Sequence, residues 1–496
     1  MSANTALELE DVVFRYQEKG KRNILDHTSL SIPAGTLTVL MGGSGCGKST
    51  LAAVAAGLYP ENGGFLEGGT IRLYGQDLKT LDPQKRAAYL TVLFQNPDLQ
   101  FCMNTLREEM RFCLENIRVP AGEMDARIDR AAAELGIAPL LDRTLSTLSG
   151  GEKQKAALSC LYVMESRCIL LDESFANLDH EAAAQLLEML LRMKTSGRTI
   201  LAIDHKADLW LEAADEIILL EEGGKVAARG INCKNLPEHR TDFERLGLFY
   251  PGSRPERAAR PVAEGKPLLQ FRGVSIRKGL PTRRKWGRTV YDAPFLVQNA
   301  DADFPAGCMT AVLGPSGTGK TTTFLSVLKQ HPYTGQILFQ GRDIAKMKPK
   351  ELYRHIGIVF QNPANQFVTQ NVEDEVCVGL RLWEPGLSDE ELLDRYGLKR
   401  QRRYSPYMLS QGQQRRLAVL SVLAGGQELL LLDEPTYGQD ARSVNAIMEH
   451  LREKVEQEGL TVIFITHDTE LAVAWADQIY RLEDTALVEK SAEEVL

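Results

Sequence analysis

The chain has 496 residues, which is too long for a single hydrophobic core and predicts at least two domains. Its 44% hydrophobic and 25% charged content is ordinary for a globular protein, and its net charge of −8 argues against a general nucleic-acid-binding surface. The eight cysteines are scattered without a C-x-x-C pair, so neither a disulfide framework nor a zinc site is predicted.

No apolar run in the sequence reaches the roughly 18 residues that a membrane-spanning helix needs. The first residues also lack the pattern of a secretory signal peptide. We therefore expect a cytoplasmic chain that could still dock on a membrane partner.

The first predicted element is a strand with one buried face. Apolar and polar residues alternate from Leu7 to Tyr16. Tyr16 ends this segment, where its ring is well placed to stack on a nucleotide base.

A glycine-rich loop follows, between a predicted strand at residues 37–40 and a predicted helix at residues 51–58. It fits the P-loop pattern G-x-x-x-x-G-K-[ST], in which backbone N–H groups and a helix N-terminus face phosphate oxygens. Lys48 would reach the β- and γ-phosphates, and the Ser49 hydroxyl would ligate Mg²⁺. The predicted nucleotide-binding residues of this loop are Gly42, Gly43, Ser44, Gly45, Cys46, Gly47, Lys48, Ser49 and Thr50.

Two further patterns lie downstream of this loop. Gln95 begins a Q-N-P-x-x-Q sequence at the end of an apolar run, which predicts an exit from a strand into a loop. Residues 108–141 have helical composition and predict a small helical subdomain. Ser149 then occupies the predicted N-cap of a helix in the sequence L-S-G-G-E.

Two strand ends carry the remaining polar signals. Asp172 and Glu173 close an apolar run of the kind found in central parallel strands, whose carboxyl ends bind ligands in open α/β sheets. His205 ends another apolar run that begins at Leu201.

The chain then repeats this whole pattern. Lys48, Gln95, Ser149, Asp172 and His205 recur at offsets between 261 and 272 residues, as Lys320, Gln361, Ser410, Asp433 and His467. This predicts a tandem duplication, with domains at residues 1–250 and 267–496 and a linker rich in Pro, Gly and Arg at 251–266. The second P-loop comprises Gly314, Pro315, Ser316, Gly317, Thr318, Gly319, Lys320, Thr321 and Thr322.

The ordered set of P-loop, glutamine loop, L-S-G-G-E segment, Asp-Glu strand end and histidine resembles the ATP-binding-cassette (ABC) ATPases over nearly the whole chain. The Q-N-P-x-x-Q form of both glutamine loops is similar to that of the ATPase subunits of energy-coupling factor (ECF) transporters and related cobalt importers, here with two cassettes fused. The resemblance implies two tandem P-loop NTPase domains of the α/β class, each with a RecA-like core and a small helical subdomain.

The same resemblance implies a function and partners. The chain would hydrolyse ATP to drive uptake of a vitamin or a transition-metal ion, peripherally on the inner face of the cell membrane. Its partners would be a membrane scaffold (T) subunit and a substrate-binding (S) membrane subunit.

The resemblance also implies roles for individual residues, with each ATP held between the P-loop of one cassette and the L-S-x-G segment of the other. Glu173 and Glu434 would activate the attacking water, while His205 and His467 would contact the γ-phosphate. The metal would be held by Ser49, Gln95 and Asp172 in the first cassette and by Thr321, Gln361 and Asp433 in the second. Ser410 and Gly412 would complete the first site, and Ser149, Gly150 and Gly151 the second.

Three positions depart from the family pattern. Lys278 stands where an adenine-stacking aromatic is expected, although Trp286 or Tyr291 could replace it. Gln411 stands in the second cassette where the L-S-G-G-E segment of the first has its first glycine. The loops after the acid pairs differ, and their Asp179 and Asp440 are expected to cross between the cassettes.

Acidic residues after the glutamine loops predict a docking groove for arginines of the membrane scaffold, although a solvated helix face is the plainer interpretation. They are Glu108, Glu109, Glu373, Asp374 and Glu375.

Two other functions fit parts of the pattern. A soluble tandem-cassette protein acting on ribosomes or nucleic acid is disfavoured by the short linker and the acidic net charge; residues 283–288 form the sole basic cluster and are typical of a solvated loop. Tandem ATPases of monosaccharide importers usually have a degraded second site, whereas both sites are complete here.

Overall fold

The computed structural model describes residues 5–18, 22–94, 97–175, 178, 180–252, 266–283, 289–290, 293–383, 389–436 and 438–495. The chain divides into two compact units, residues 1–253 and 254–496. Across the described ranges, no helix combines the length and the apolar character needed to cross a bilayer.

The first unit contains two sheets. A four-stranded antiparallel sheet has the order β2-β1-β4-β5, and a six-stranded sheet has the order β10-β9-β3-β8-β7-β6, in which all neighbours are parallel except β10 and β9. The strands are β1 (Thr5–Arg15), β2 (Leu25–Pro33), β3 (Leu37–Gly42), β4 (Phe65–Leu73), β5 (Gln76–Asp77), β6 (Leu90–Leu93), β7 (Cys168–Asp172), β8 (Thr199–Ile203), β9 (Glu216–Glu221) and β10 (Lys225–Ile231). The helices are α1 (Lys48–Ala55), α2 (Pro83–Tyr89), α3 (Leu106–Asn116), α4 (Ala121–Leu135), α5 (Gly150–Val163), α6 (His180–Thr195) and α7 (Arg240–Leu246).

The second unit repeats this topology. Its four-stranded sheet has the order β14-β11-β16-β17, its six-stranded sheet the order β18-β19-β20-β15-β21-β22, and a small hairpin pairs β12 with β13. The strands are β11 (Pro267–Arg277), β12 (Thr282–Arg283), β13 (Thr289–Val290), β14 (Phe295–Pro305), β15 (Met309–Leu313), β16 (Tyr333–Phe339), β17 (Arg342–Asp343), β18 (Ile356–Val359), β19 (Leu429–Asp433), β20 (Thr461–Ile465), β21 (Gln478–Glu483) and β22 (Ala486–Lys490). The helices are α8 (Lys320–Val327), α9 (Pro349–His355), α10 (Val372–Trp383), α11 (Asp389–Arg395), α12 (Gln411–Leu423), α13 (Ala441–Glu458), α14 (Thr469–Trp475) and α15 (Ala492–Val495).

The central strands of the six-stranded sheets are apolar because both faces of each sheet are covered. In β3, Val39 and Met41 join the core cluster on one face, and Leu40 joins the cluster on the other. All three side chains are fully buried. Continuous apolar runs are the expected sequence of such strands, whereas a sheet with one wet face would alternate.

The predicted helical subdomains are present in both units. The stretch predicted at residues 108–141 forms α3 and α4, and the corresponding stretch of the second unit forms α10 and α11. The first P-loop helix is offset from the prediction of residues 51–58: it begins at Lys48 and ends at Ala55. It stops there because Gly57 adopts a left-handed conformation with φ of 70°.

This topology brings the predicted site residues of each unit to one edge of its sheet. In the first unit the P-loop follows β3, Asp172 ends β7 and His205 follows β8, and these three strands are neighbours in the order β3-β8-β7. Loops at the carboxyl ends of parallel strands are the usual ligand-binding position in α/β sheets.

Candidate functional site: two P-loops with paired acids

The first P-loop is shaped by its glycines. Gly45 and Gly47 have φ angles of 80° and 111°, which favour glycine. A Cβ atom on Gly42 would lie 2.6 Å from Cys46 Sγ and 2.7 Å from the Leu220 carbonyl oxygen, so no larger residue fits there. The loop therefore keeps its backbone close to the neighbouring strand β9, and α1 begins directly after it at Lys48.

Lys48 lies along the inside of this loop. Its Nζ donates to the carbonyl oxygens of Gly42 at 2.7 Å and Gly43 at 3.2 Å, and the residue is 5% exposed. A buried ammonium that donates to backbone carbonyl oxygens in the loop is well suited to bind an anion there.

The acid pair of the first unit sits directly beside this loop. Asp172 Oδ1 accepts a hydrogen bond from Ser49 Oγ at 3.2 Å, and Glu173 Oε1 lies 2.7 Å from His205 Nε2. Glu173 has a φ of 49°, a left-handed conformation that is uncommon outside glycine, and its N–H donates to the Ile203 carbonyl at 3.0 Å. Such backbone geometry is concentrated at functional sites, where the surrounding structure holds a conformation that is otherwise unfavourable.

The pKa values of the two carboxyl groups are shifted in opposite directions. Burial, followed by the negative charge of Glu173, raises the pKa of Asp172 to about 7. Burial also opposes ionisation of Glu173, but the charge and hydrogen bond of His205, together with the charge of Lys48, lower its pKa below the ordinary value. Glu173 is thus held ionised beside its histidine, whereas burial and the charge of Glu173 oppose ionisation of Asp172.

Tyr16 stands next to the P-loop helix. Its hydroxyl lies 2.8 Å from Thr50 Oγ1, and its ring packs edge-on against Phe14 and Tyr59 at centroid distances of 5.3 and 5.7 Å. The side chain keeps 48% of its surface exposed. An anchored but partly open ring of this kind can receive a stacking base.

The second unit builds the same arrangement. Lys320 Nζ donates to the carbonyl oxygens of Gly314 at 2.6 Å and Pro315 at 2.8 Å, and Thr321 Oγ1 donates to Asp433 Oδ2 at 2.6 Å. Burial raises the pKa of Asp433 to about 6, against the opposing hydrogen bond from Thr321. Glu434 again has a left-handed φ, of 52°.

The histidine contacts differ between the units. His467 approaches Glu434 Oε1 through Nδ1 at 3.0 Å, and its side chain is 35% exposed. The His205 side chain is 9% exposed and uses Nε2. The second histidine therefore lies in a more open setting than the first.

Ser149 and Ser410 are N-caps, as predicted. Ser149 Oγ accepts from the Glu152 N–H, and Glu152 Oε2 accepts from the Ser149 N–H, which is a complete capping box at the start of α5. Ser410 and Gln413 form the same box on α12. Gln411 is the first residue of α12, and Gly412 is buried, with its carbonyl accepting from Gln439 Nε2 at 2.9 Å.

The glutamine loops are closed by their last residue. Gln100 Oε1 accepts from the Phe94 N–H at 3.1 Å, and Gln366 Oε1 accepts from the Phe360 N–H at 3.2 Å. This gives the second glutamine of Q-N-P-x-x-Q a structural role. Gln361 is exposed in its loop, whereas Gln95 lies outside the described residues.

Comparison with known proteins agrees with this geometry. The ABC transporter family model matches residues 25–176 and 297–437. The chain is 35% identical over 498 residues to the "Putative HMP/thiamine import ATP-binding protein YkoD" of Bacillus subtilis, covering 97% of this chain and 90% of that protein. It is 31% identical to a "Putative ABC transporter ATP-binding protein" of Methanosarcina mazei, covering 95% and 86%.

The chain belongs to the ABC transporter ATPase family. It binds ATP and carries two fused cassettes, each in its own unit. A structure described as ribosome-bound archaeal Pelota and ABCE1 matches 98% of the chain and 79% of its own length with a TM-score of 0.68. At 18% identity, that match shows the tandem ABC fold alone.

In these ABC cassettes the docking prediction is wrong for two of its five acids, one in each cassette. Glu109 is 3% exposed, and its Oε2 accepts from the N–H groups of Cys102 at 2.8 Å and Met103 at 2.7 Å. Glu375 is 4% exposed and likewise accepts from Val368 and Thr369. These carboxylates hold the chain after each glutamine loop, so they do not form an acidic docking surface. Of the other three acids, Glu108 and Asp374 are exposed and Glu373 is half-buried.

Asp440 and Lys278, which the sequence pattern also singled out, make contacts within their own cassette. Asp440 is 6% exposed and caps α13 of its own cassette, accepting from the Ser443 N–H at 2.7 Å. Lys278 is exposed, and its N–H donates to the Pro294 carbonyl. Asp179, Trp286 and Tyr291 lie outside the described residues.

Sequence reasoning missed two groups around the acids of this ABC ATPase. Trp210 is buried, donates from Nε1 to Asp204 Oδ2 at 2.8 Å, and packs edge-on against Phe175 at 4.7 Å. It ties the segment before His205 to the loop after Glu173. In the second cassette, the buried Arg415 contacts the backbone at the acid pair. The sequence signal for Arg415 is a charged residue early in the helix that Ser410 caps, and that for Trp210 is an aromatic residue shortly after His205.

Proposed function

We propose that this ABC ATPase is the energy-coupling subunit of an ECF-type importer. It would drive uptake of a vitamin or a transition-metal ion through a membrane scaffold (T) subunit and a substrate-binding (S) subunit, from the cytoplasmic face of the membrane. Similarity over nearly the full length to a protein described as an HMP/thiamine import ATP-binding protein favours the vitamin.

The observation that carries this proposal is a groove beside the second glutamine loop. It has a volume of about 400 Å³ and lies between the core strand β18 and the helical subdomain. Its lining includes Tyr353, Val368 and Val378, which are 41%, 77% and 45% exposed. Exposed apolar side chains gathered in one groove are typical of a protein-binding surface.

The occupant we propose is a cytoplasmic helix of the scaffold subunit. Asp374 is exposed on α10, next to the groove residue Glu375, and would pair with an arginine of that helix. Gln366 also lines the groove and closes the glutamine loop through the Phe360 N–H. Docking of the scaffold helix in the groove would therefore act on the nucleotide site through the glutamine loop.

The chemistry we propose is in-line attack of water on the γ-phosphate of ATP. The phosphates would lie in the P-loops against Lys48 and Lys320, and Glu173 and Glu434 would take a proton from the attacking water. His205 and His467 would orient those carboxylates and contact the γ-phosphate. In the proposed head-to-tail pairing, Ser410 and Gly412 would complete the first site, and Ser149, Gly150 and Gly151 the second.

Mg²⁺ fits the residues at both sites. In the first cassette the Ser49 hydroxyl lies 3.2 Å from a carboxylate oxygen of Asp172, and in the second the Thr321 hydroxyl lies 2.6 Å from one of Asp433. Gln95 and Gln361 would add amide oxygens. Mg²⁺ is commonly bound through one or two carboxylates together with substrate phosphates, and each site offers such a carboxylate beside its P-loop. When bound, the ion neutralises charge on the β- and γ-phosphates.

Affinity purification from membranes tests this function. We expect the tagged chain to retain a scaffold and a substrate-binding subunit, and Val368→Arg to lose them because a charge enters the apolar groove. Val488→Arg is the matched control, since Val488 is 46% exposed on β22 and does not line the groove. Co-sedimentation with ribosomes, without membrane subunits, would favour the alternative of a soluble tandem-cassette ATPase.

A further inference from the structure

Arg415 links three segments of the second cassette. It lies on α12 and is 4% exposed. One guanidinium nitrogen donates to the carbonyl oxygens of Glu434 at 2.9 Å and Asp433 at 3.3 Å, and the other donates to the Gln361 carbonyl at 2.6 Å. One buried side chain therefore joins the capped helix, the glutamine loop and the acid pair.

These bonds act on the backbone that orients the acid. Glu434 holds a left-handed φ, and its N–H is fixed by the Ile465 carbonyl at 3.0 Å. Arg415 donates to the carbonyl oxygen of Glu434, so both backbone polar groups of that residue are held. Because the guanidinium is planar and charged, its hydrogen bonds are strong and directional, and a shift of Gln361 would be transmitted to Glu434.

The first cassette has a different residue at this position. Arg415 is the fifth residue of α12, and the fifth residue of α5 is Gln154, which is 2% exposed. There the neighbouring Lys153 ties α5 to the glutamine loop through Asp98 at 2.7 Å. That ion pair joins the helix to the loop through a different side chain and a different partner from those of Arg415.

We propose that Arg415 is a positioning residue for hydrolysis in the second cassette. It holds Glu434 in its productive orientation and makes that orientation depend on the glutamine loop. The inference rests on the proposed role of Glu434 as the residue that activates water.

The test uses the full chain carrying Glu173→Gln, so that the remaining turnover reports the second cassette. In this background Arg415→Gln, which installs the residue of the first cassette, should lower kcat about 10- to 100-fold while KM for ATP changes less than about threefold. Arg415→Lys should recover part of kcat, because an ammonium keeps the charge but lacks the planar fork whose two nitrogens reach the acid pair and the glutamine loop separately. ATP binding by calorimetry and the unfolding midpoint are measured on each variant.

The outcomes separate this inference from the proposed role of Glu434. An unchanged kcat for Arg415→Gln, or a parallel loss of kcat and ATP affinity, would overturn the positioning role. If Arg415→Gln does not fold, an unchanged kcat for Arg415→Lys overturns it instead. Glu434→Gln in the same background should abolish the remaining turnover; if turnover survives, the role of Glu434 fails whatever Arg415 does.

Discussion

His205 Nε2 lies 2.7 Å from Glu173 Oε1, with both side chains nearly buried at the edge of the first sheet. The contact lowers the pKa of Glu173 although burial opposes ionisation. The histidine therefore keeps the carboxylate charged and fixes its direction. His467 makes the corresponding contact with Glu434 at 3.0 Å, so each cassette holds a complete acid–histidine pair.

The first prediction is that hydrolysis depends on both acids. Removal of a positioned general base costs about 10²- to 10⁴-fold at its own site, so Glu173→Gln and Glu434→Gln should each at least halve steady-state turnover. The loss will be tenfold or more if the two sites must act in turn. ATP binding should persist, because the P-loop lysines are untouched. Phosphate release measures turnover, with Glu222→Gln as an exposed control; wild-type turnover for Glu434→Gln would contradict two catalytic sites.

The motifs that lie at strand ends could be predicted from the sequence, because apolar runs mark the strands and a parallel sheet brings their carboxyl ends to one edge. The P-loops, both acid pairs and both histidines lie at or directly after the ends of the strands that their apolar runs predicted. The left-handed φ of Glu173 and Glu434 could not be predicted, since glutamate rarely adopts it without tertiary support. Arg415 was missed for a related reason: its three carbonyl partners are 18 to 54 residues away along the chain.

The misassigned acid, Glu109, shows another limit of sequence reading. A glutamate in the first turn of an amphipathic helix usually faces water, so Glu108 and Glu109 look equivalent. In the structure, Glu109 turns inward because the N–H groups of Cys102 and Met103 need an acceptor. That need arises from the path of the preceding loop, which local propensity does not encode.

The second prediction follows from this burial. Glu109→Ala should destabilise the first cassette by about 2–4 kcal/mol, because it leaves two backbone N–H groups without their carboxylate acceptor. Glu115→Ala, an exposed change on the same helix, should cost less than about 0.5 kcal/mol. Urea unfolding followed by circular dichroism measures both variants. Equal midpoints for the two would show that Glu109 does not brace the loop.

The third prediction concerns stability below neutral pH. His450 is 4% exposed, its Nδ1 lies 2.7 Å from the hydroxyl of the buried Tyr396, and burial lowers its pKa from 6.5 to about 4. The nearby positive charges of Arg395 and Lys454 act in the same direction. Between these pKa values the unfolded chain binds the proton and the folded chain does not, so stability falls as pH decreases from about 6.5 to 4 and is flat above 6.5.

The magnitude of this loss is roughly 3 kcal/mol at 1.36 kcal/mol per pKa unit. His450→Gln should flatten the pH dependence of the second cassette's unfolding midpoint over that window, even if it lowers the midpoint itself. His27→Gln, on the exposed side of β2, is the control and should keep the wild-type slope. An unchanged slope for His450→Gln would assign the acid sensitivity to other groups.

The last prediction is that the two nucleotide sites bind ATP with unequal affinity. Tyr16 keeps a half-exposed ring beside the first P-loop, anchored through Thr50, whereas Lys278 offers no ring at the second. By analogy with aromatic–base stacking in nucleic-acid-binding proteins, one such contact is worth about 1–3 kcal/mol, or roughly 5- to 150-fold in affinity. The P-loop lysines make matching contacts in the two cassettes, so the difference should depend on the base.

Titration of ATP into Lys48→Ala and into Lys320→Ala isolates each surviving site. We expect the first site, which survives in Lys320→Ala, to bind more tightly, and Tyr16→Leu to remove most of its advantage. Tyr16→Phe separates stacking from anchoring: it keeps the ring but loses the hydroxyl contact with Thr50, so it should retain most of the affinity. Inorganic triphosphate should bind the two sites alike. Equal ATP affinities, with Trp286→Ala and Tyr291→Ala also without effect, would show that the ring of Tyr16 contributes nothing to adenine recognition.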